Sequence, residues 1–404
     1  MPVSNCVEVG SGIQLTKLHV ENFKSLVNFD ISFSKFSCLI GLNGSGKTTV
    51  LQFIDFLSQL SKGDTLDWLK TRQWSSSDLH SKLTSQRLIK FSATFLLDEI
   101  GQVIWEATFN PDLSRCTYER ISIDKLILML AEEKKLSLHK NVDNSVPPIQ
   151  NYPIIFDYQG SVISQLGHDL LGNFHPALLK VKEFLLKTHS LELLSPAFLR
   201  RRSRNSEGGI GYGGEQMTAV LYGLGRSKRN EILAKLKTVY PYLQEIDVSQ
   251  LQAGWKKLSV VEEYSSKKYS FESKHVNDGL LRLLAVFAQL KYDDGFVLFD
   301  EIENGINPEL IEFVIDLLVE SPHQVLASTH SPIVLNYIED NVAIEGLIYI
   351  YKGQNGFTRS IPFFSIPSMN EKLSVMGPGD VYQDTSLVEL QEEIISLGYL
   401  EPHQ

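Results

Sequence analysis

Residues 41–49, Gly-Leu-Asn-Gly-Ser-Gly-Lys-Thr-Thr, have the spacing best suited to chemistry in this chain. Three glycines let the backbone curl so that successive amides turn inward on a phosphate chain, and a following helix N-terminus adds partial positive charge. Lys47 would reach the β- and γ-phosphates of a nucleoside triphosphate, and the Thr48 hydroxyl would hold Mg²⁺. Asn43, Gly44, Ser45, Gly46 and Thr49 complete the cradle. A second constellation lies about 250 residues on, where the apolar run 296–299 closes in Asp300-Glu301. Asp300 would orient the Mg²⁺ through water, and Glu301 would act as general base on the attacking water. A third run, 324–328, ends in Thr329-His330-Ser331-Pro332, which places His330 where a γ-phosphate would lie.

The elements that must position these groups surround them. The apolar run 36–40 predicts a buried strand feeding the glycine loop, and Val50, Leu51, Phe53, Ile54 and Leu57 give a helix closing near Gly63. Upstream, 15–20 and 29–33 alternate as strands. The polar stretch 64–85 predicts an irregular surface segment. Runs 88–97, 103–109 and 115–123 predict a small antiparallel sheet, punctuated by Asp98, Gly101, Asn110 and Pro111. From Leu126 the pattern reads as helical, through Leu128, Leu130 and Ala131 and again through Leu179, Val181, Phe184 and Leu185, with a break at Pro147-Pro148. Arg200, Arg201, Arg202 and Arg204 stand beside the glycine tract 208–214, either as an electropositive loop for phosphate or as a solvated surface loop. Segments 217–224 and 231–239 predict helices and 257–264 a strand, and the tail with 347–351 and 387–397 predicts one or two sheet-edge strands and a closing helix.

Composition bounds the rest. The chain has 404 residues, 43% of them hydrophobic, and a formal net charge of −10, so any contact with nucleic acid must come from a local basic patch. Cys6, Cys38 and Cys116 form no C-x-x-C pair, which suits a reducing cytoplasm. Residues 1–12 carry neither a basic start nor an apolar core, and 280–290 is too short and broken for a membrane span, so neither export nor membrane insertion is expected.

The residues together resemble a known family. Residues 41–49, Asp300-Glu301 with the following 302–308, and 328–332 look like the P-loop, Walker B, D-loop and switch histidine of ABC-type ATPases, in the branch of RecF, the structural-maintenance-of-chromosomes (SMC) heads and the OLD nucleases. Asn22-Phe23-Lys24-Ser25 resembles the N-terminal turn of that branch, and Val276-Asn277-Asp278-Gly279 followed by Leu281-Arg282 resembles its signature. The resemblance implies an α/β P-loop NTPase head with a central mixed or parallel sheet, an antiparallel β subdomain and an inserted helical lobe. The implied division is 1–125 with the P-loop and β subdomain, 126–270 as the largely helical insert, and 271–404 with signature, Walker B and switch histidine.

It also implies an ATP- and Mg²⁺-dependent homodimer. Two heads close head to tail, each P-loop facing the partner's Asn277, Asp278 and Gly279, with assembly beyond the dimer left open. Asn277 stands where the family usually has serine. The Q-loop glutamine has three candidates, Gln73, Gln159 and Gln165. Sustained heptads are missing, and residues 331–404 are too few for an appended metal-dependent nuclease, so the expectation is an ATPase head acting on a separate effector protein, as in stand-alone ATPases of anti-phage and DNA-repair systems. The alternative is a RecF-like clamp on duplex DNA.

Overall fold

The computed structural model describes residues 12–139, 149–192, 194–206 and 208–398. Cys6 and the Pro147-Pro148 break lie outside them. The chain opens with β1 (Ile13–Glu21) and β2 (Phe29–Ser32), which pair antiparallel, and then β3 (Phe36–Ile40), which leaves for a second sheet. β4 (Ile89–Leu97), β5 (Gly101–Asn110), β6 (Arg115–Ile123), β7 (Leu126–Glu132), β8 (Lys135–His139) and β9 (Ile149–Pro153) extend the first sheet to eight antiparallel strands, ordered β2-β1-β4-β5-β6-β7-β8-β9. After β10 (His189–Ser190), the strands β11 (Leu243–Gln250), β12 (Lys256–Tyr264) and β13 (Lys267–Glu272) form a separate antiparallel sheet. β14 (Phe296–Phe299), β15 (Gln324–Ser328), β16 (Leu347–Lys352) and β17 (Thr358–Pro362) complete the second sheet in the order β10-β14-β15-β3-β16-β17, parallel except for β17.

β3, β14 and β15 are buried at every position, as expected for strands covered on both faces. Their register sets Leu39 against Ser328 and Phe299 against Ala327, so Gly41, Asp300 and Thr329 emerge at one edge. The helix Lys47–Lys62 runs from that edge between the two large sheets and is buried almost all round. Its Phe53 and Phe56 meet Phe91 and Phe109 of the antiparallel sheet edge to face, at 5.8 and 5.0 Å between ring centres.

Several expectations are corrected. Residues 126–139 are strands: Met129 and Ala131 are buried while Leu130 and Glu132 lie on the other face, a period of two interrupted by a bulge at Leu128, and the run follows the left-handed turn at Asp124. The insert 126–270 therefore begins with three strands of the antiparallel sheet and ends with a three-stranded sheet of its own, with helices between. The segment 64–85 is irregular and largely exposed only beyond Thr71. Helix Thr65–Thr71 buries Thr65, Trp68 and Leu69 at helical spacing, and Trp68 packs on Phe56 and Trp74. The small three-strand sheet is instead the middle of eight strands. The tail supplies two strands, β16 and β17, that finish one edge of the second sheet.

One buried acid ties β6 to the next connection. Glu119 is 1% exposed, accepts from Val162 N at 2.6 Å and from Ser161 Oγ, and its carboxyl is pushed up to about 7 by burial despite those two bonds. A carboxyl raised on folding favours the protonated native state, so stability is greatest below the unfolded pKa and falls as pH rises from about 4.5 towards 7. Glu119→Gln keeps the hydrogen-bonding shape without the charge. It should raise the melting temperature at pH 8 and flatten the profile between pH 5 and 8, by about 3 kcal/mol at most; a profile parallel to that of the wild type in thermal melts would refute the assignment.

Candidate nucleotide site

The glycine loop adopts the curl that its sequence suggests. Gly44 and Gly46 have φ of 74° and 116°, and a Cβ on Gly46 would overlap the Thr358 hydroxyl from β17. That threonine donates to Ser45 O at 3.0 Å, shares a hydrogen bond with Ser25 Oγ at 2.8 Å and receives one from Lys352 Nζ at 3.0 Å. β17 and the turn after β1 thus brace the loop from below. Asn22 accepts from Thr84 at 2.6 Å and donates to Gln86 O and Leu88 O, while Lys24 donates to Gln52 of the loop helix at 2.8 Å.

Lys47 lies buried and folds back to donate to Gly41 O at 2.9 Å and Leu42 O at 3.1 Å. Burial lowers its pKa, and the carboxylates of Asp300, Glu301 and Glu303 oppose that shift. Ser45 Oγ is buried without a hydrogen-bond partner. A polar atom left in that state inside a ring of amides fits a loop built to close on phosphate oxygens.

The acids meet the loop as the strand register requires. Thr48 Oγ1 donates to Asp300 Oδ2 at 2.8 Å, and Ser328 Oγ donates to Asp300 Oδ1. A hydroxyl and a carboxylate oxygen side by side suit a hard divalent cation, whose remaining positions water and phosphate oxygens would fill. Among the described residues, no group of three His, Cys, Asp or Glu side chains could hold a metal by itself.

Glu301 follows in the left-handed region, φ 48°, and is exposed. Its amide donates to Ser328 Oγ at 2.9 Å and its carbonyl accepts from Asn304 N at 2.8 Å. A non-glycine residue held there against a cost of roughly 1 kcal/mol turns its side chain out of the strand direction and over the edge. Beyond it, Glu303 accepts from Thr329 Oγ1 and from His330 N, both at 2.9 Å, and so fixes the peptide that carries His330.

Asn277 caps the helix Asp278–Tyr292, its Oδ1 accepting from Leu280 N at 2.8 Å. Arg200 reaches across to donate to Val276 O at 3.0 Å and to Asp278. Arg202 pairs with Glu272 at 2.7 Å and Arg204 donates to Ala253 O at 2.8 Å, so three of the four loop arginines are engaged within the chain.

None of the proposed glutamines reaches the strand ends. Gln159 accepts from Leu66 N, Gln165 donates to Ser164 and Gln73 terminates a helix with positive φ. Register instead sets Glu192 level with Asp300, two residues past the pair Ser190 and Leu298. Glu192 accepts from Gln52 at 2.8 Å and from Arg72 at 2.7 Å. Ser328, Glu303, Thr358 and Glu192 are the site residues that spacing alone did not single out. Ser328 and Glu303 lay inside quoted motifs, whereas Thr358 and Glu192 had no local signal.

Lys47→Ala should lose at least about 100-fold in ATP affinity, since it removes a charge-assisted contact and unsettles the loop that folds around it. Fluorescent-nucleotide titration measures this, and affinity unchanged from wild type would overturn the phosphate cradle.

Comparison with known proteins bears on the domain type and the fold. Residues 14–194 match an AAA ATPase domain model, and residues 172–336 match an AAA domain model named for an AbiEii toxin of type IV toxin–antitoxin systems. The DNA replication and repair protein RecF of Porphyromonas gingivalis is 49% identical over 45 residues, which cover 11% of this chain and only 12% of that protein. Among solved structures, an SMC head bound to the C-winged helix domain of ScpA superposes with a TM-score of 0.54 at 15% identity, covering 86% of this chain and 97% of the other. The Pyrococcus furiosus Smc head with an extended coiled coil gives 0.52 at 13% identity, over 90% and 100%. The chain carries ATPase-domain matches that together span residues 14–336, and it has the fold of an SMC head.

Proposed function

We propose that the chain is an ATP-driven switch: two copies close head to tail around two Mg²⁺-bound ATP molecules, and hydrolysis reopens them. Thr48 and Asp300 hold the metal, Lys47 and the 43–49 loop grip the phosphates, Glu301 draws the proton from the attacking water and His330 contacts the γ-phosphate. The observation that carries the reading is the signature turn. Asn277 spends its Oδ1 on Leu280 N and keeps its Nδ2, and the first-turn amides of Asp278 and Gly279 have no intrahelical acceptor. This helix packs on the 217–223 helix, while the loop helix packs on the 65–71 and 176–186 helices. In the closed pair, a phosphate bound by one chain would meet these donors on a second.

Downstream, the opening and closing of the pair acts on a separate effector protein in anti-phage defence within the cytoplasm. Support comes from the resemblance to stand-alone ATPases of such systems and from the match to a model named for a toxin–antitoxin component. No helix among the described residues is long and apolar enough to cross a membrane. A RecF-like clamp on duplex DNA is the second reading. It rests on the short RecF match and on the loop arginines, and the internal engagement of Arg200, Arg202 and Arg204 weighs against it.

Glu301→Gln should bind ATP yet release phosphate at least about 100-fold more slowly, the effect of losing a positioned base. It should also hold the closed pair, read as a doubling of mass by light scattering when ATP is added. A monomer with bound ATP would refute the sandwich, and wild-type turnover would refute the base.

A further inference from the structure

The far end of the loop helix lines a cavity of about 540 Å³, the size of a site for a nucleotide-sized small molecule. Lys62 stands 15 residues beyond Lys47, about 22 Å along a helix rising about 1.5 Å per residue, so this is a different place from the phosphate cradle. The walls come from that helix, from Trp68, from β10, from the loop around Tyr212 and from Gln289 near the end of the signature helix.

Unpartnered donors mark the cavity. Ser190 Oγ and Gln289 Nε2 have no hydrogen-bond partner, although the two residues are only 7% and 1% exposed. Among the described residues, neither the Lys62 ammonium nor the Tyr212 hydroxyl makes a hydrogen bond or an ion pair, and burial lowers the lysine pKa. Most acceptors nearby are taken, although Asp293, which receives His189 through one oxygen, leaves its other oxygen unpartnered. Asp55 receives Gln59 at 3.2 Å through one oxygen, and Trp68 Nε1 at 2.7 Å and Arg72 at 2.8 Å through the other. Glu215 accepts from Gly213 N at 2.9 Å and Gln289 Oε1 from Ile210 N at 3.1 Å. Asp64 and Asp67 are exposed, and Asp67 is paired with Lys70 at 2.7 Å.

Each buried donor left unmatched costs about 1–3 kcal/mol, and an unpaired ammonium costs more. Two such buried groups, Ser190 and Gln289, with the half-buried Lys62 and Tyr212 beside them, call for a ligand rich in acceptors. We propose that this cavity binds a small molecule bearing a phosphate or carboxylate group, with Lys62, Gln289, Ser190 and Tyr212 donating to its oxygens. Because the cavity joins the far ends of the P-loop and signature helices, an occupant would bridge two elements that serve the nucleotide.

The test uses the full chain with its P-loop saturated by a non-hydrolysable ATP analogue, so that the probes read only the second site. Radiolabelled inorganic phosphate and succinate are measured separately by equilibrium dialysis. At least one should bind, and Lys62→Gln should weaken it about tenfold or more, as for loss of a charge-assisted bond of about 1.5 kcal/mol, while analogue affinity stays at the wild-type value. Binding of phosphate alone or succinate alone identifies the headgroup. Should Lys62→Gln fail to fold, Tyr212→Phe removes a single hydroxyl and should weaken binding severalfold. Failure of both probes to bind, or equal binding by wild type and folded variants, overturns the proposal and leaves a water-filled cavity.

Discussion

The site depends on one carboxylate held between two hydroxyls. Asp300 receives Thr48 from the loop helix and Ser328 from the end of β15, and the same Ser328 oxygen receives the amide of Glu301. Four residues from three chain segments are thereby set relative to one another by hydrogen bonds to a charged group, the stronger kind. The arrangement exists only because β3, β14 and β15 are parallel and in the observed register. A slip of one residue in β14 would turn Asp300 to the opposite face and leave Thr48 facing a hydrophobic side chain.

Beneath the chemistry, a second set of contacts fixes the loop helix. Arg72 bridges Asp55 and Glu192 at 2.8 and 2.7 Å, with all three side chains nearly sealed from water. Trp68 Nε1 gives Asp55 another donor and Gln52 gives one to Glu192. A buried ion network adds little net stability, because desolvation offsets the attraction, but loss of any member leaves an unmatched charge. Its effect is geometric: it locks the loop helix, the 65–71 helix and the segment following β10 in one arrangement. Since β10 pairs with β14, the phosphate loop and the Walker B strand share this support.

Much of this was legible because it is local. The P-loop is contiguous, and its strand, glycines and helix each announce themselves within fifteen residues. The two acids after four apolar residues do the same. What escaped is non-local or conformational. Thr358 supports Gly46 from over 300 residues away, a pairing that no sequence window contains. The left-handed turn at Glu301 carries no glycine to signal it. Leu126 to Ala131 is apolar on nearly every residue, so period two and period 3.6 fit it equally well until β6 supplies a partner. Polar residues at 64–85 concealed Trp68, since a seven-residue helix with three buried positions gives too short a pattern.

Charge balance explains why these pieces would act only together. Lys47 faces Asp300, Glu301 and Glu303, in a chain whose net charge is already −10. A triphosphate entering that surrounding alone would meet more negative charge than one ammonium and a helix N-terminus can offset. A divalent cation between Thr48 and Asp300 would cancel the nearest carboxylate and bridge the phosphates, and the amides of a second chain would neutralise the far end. The acidic edge would then exclude bare nucleotide and admit the metal complex, and tight grip would wait for a partner whose signature helix completes the ring of donors. On the proposed switch, the same carboxylates that discourage binding in the open state would prepare water for hydrolysis in the closed one. One set of residues would thereby make turnover conditional on assembly.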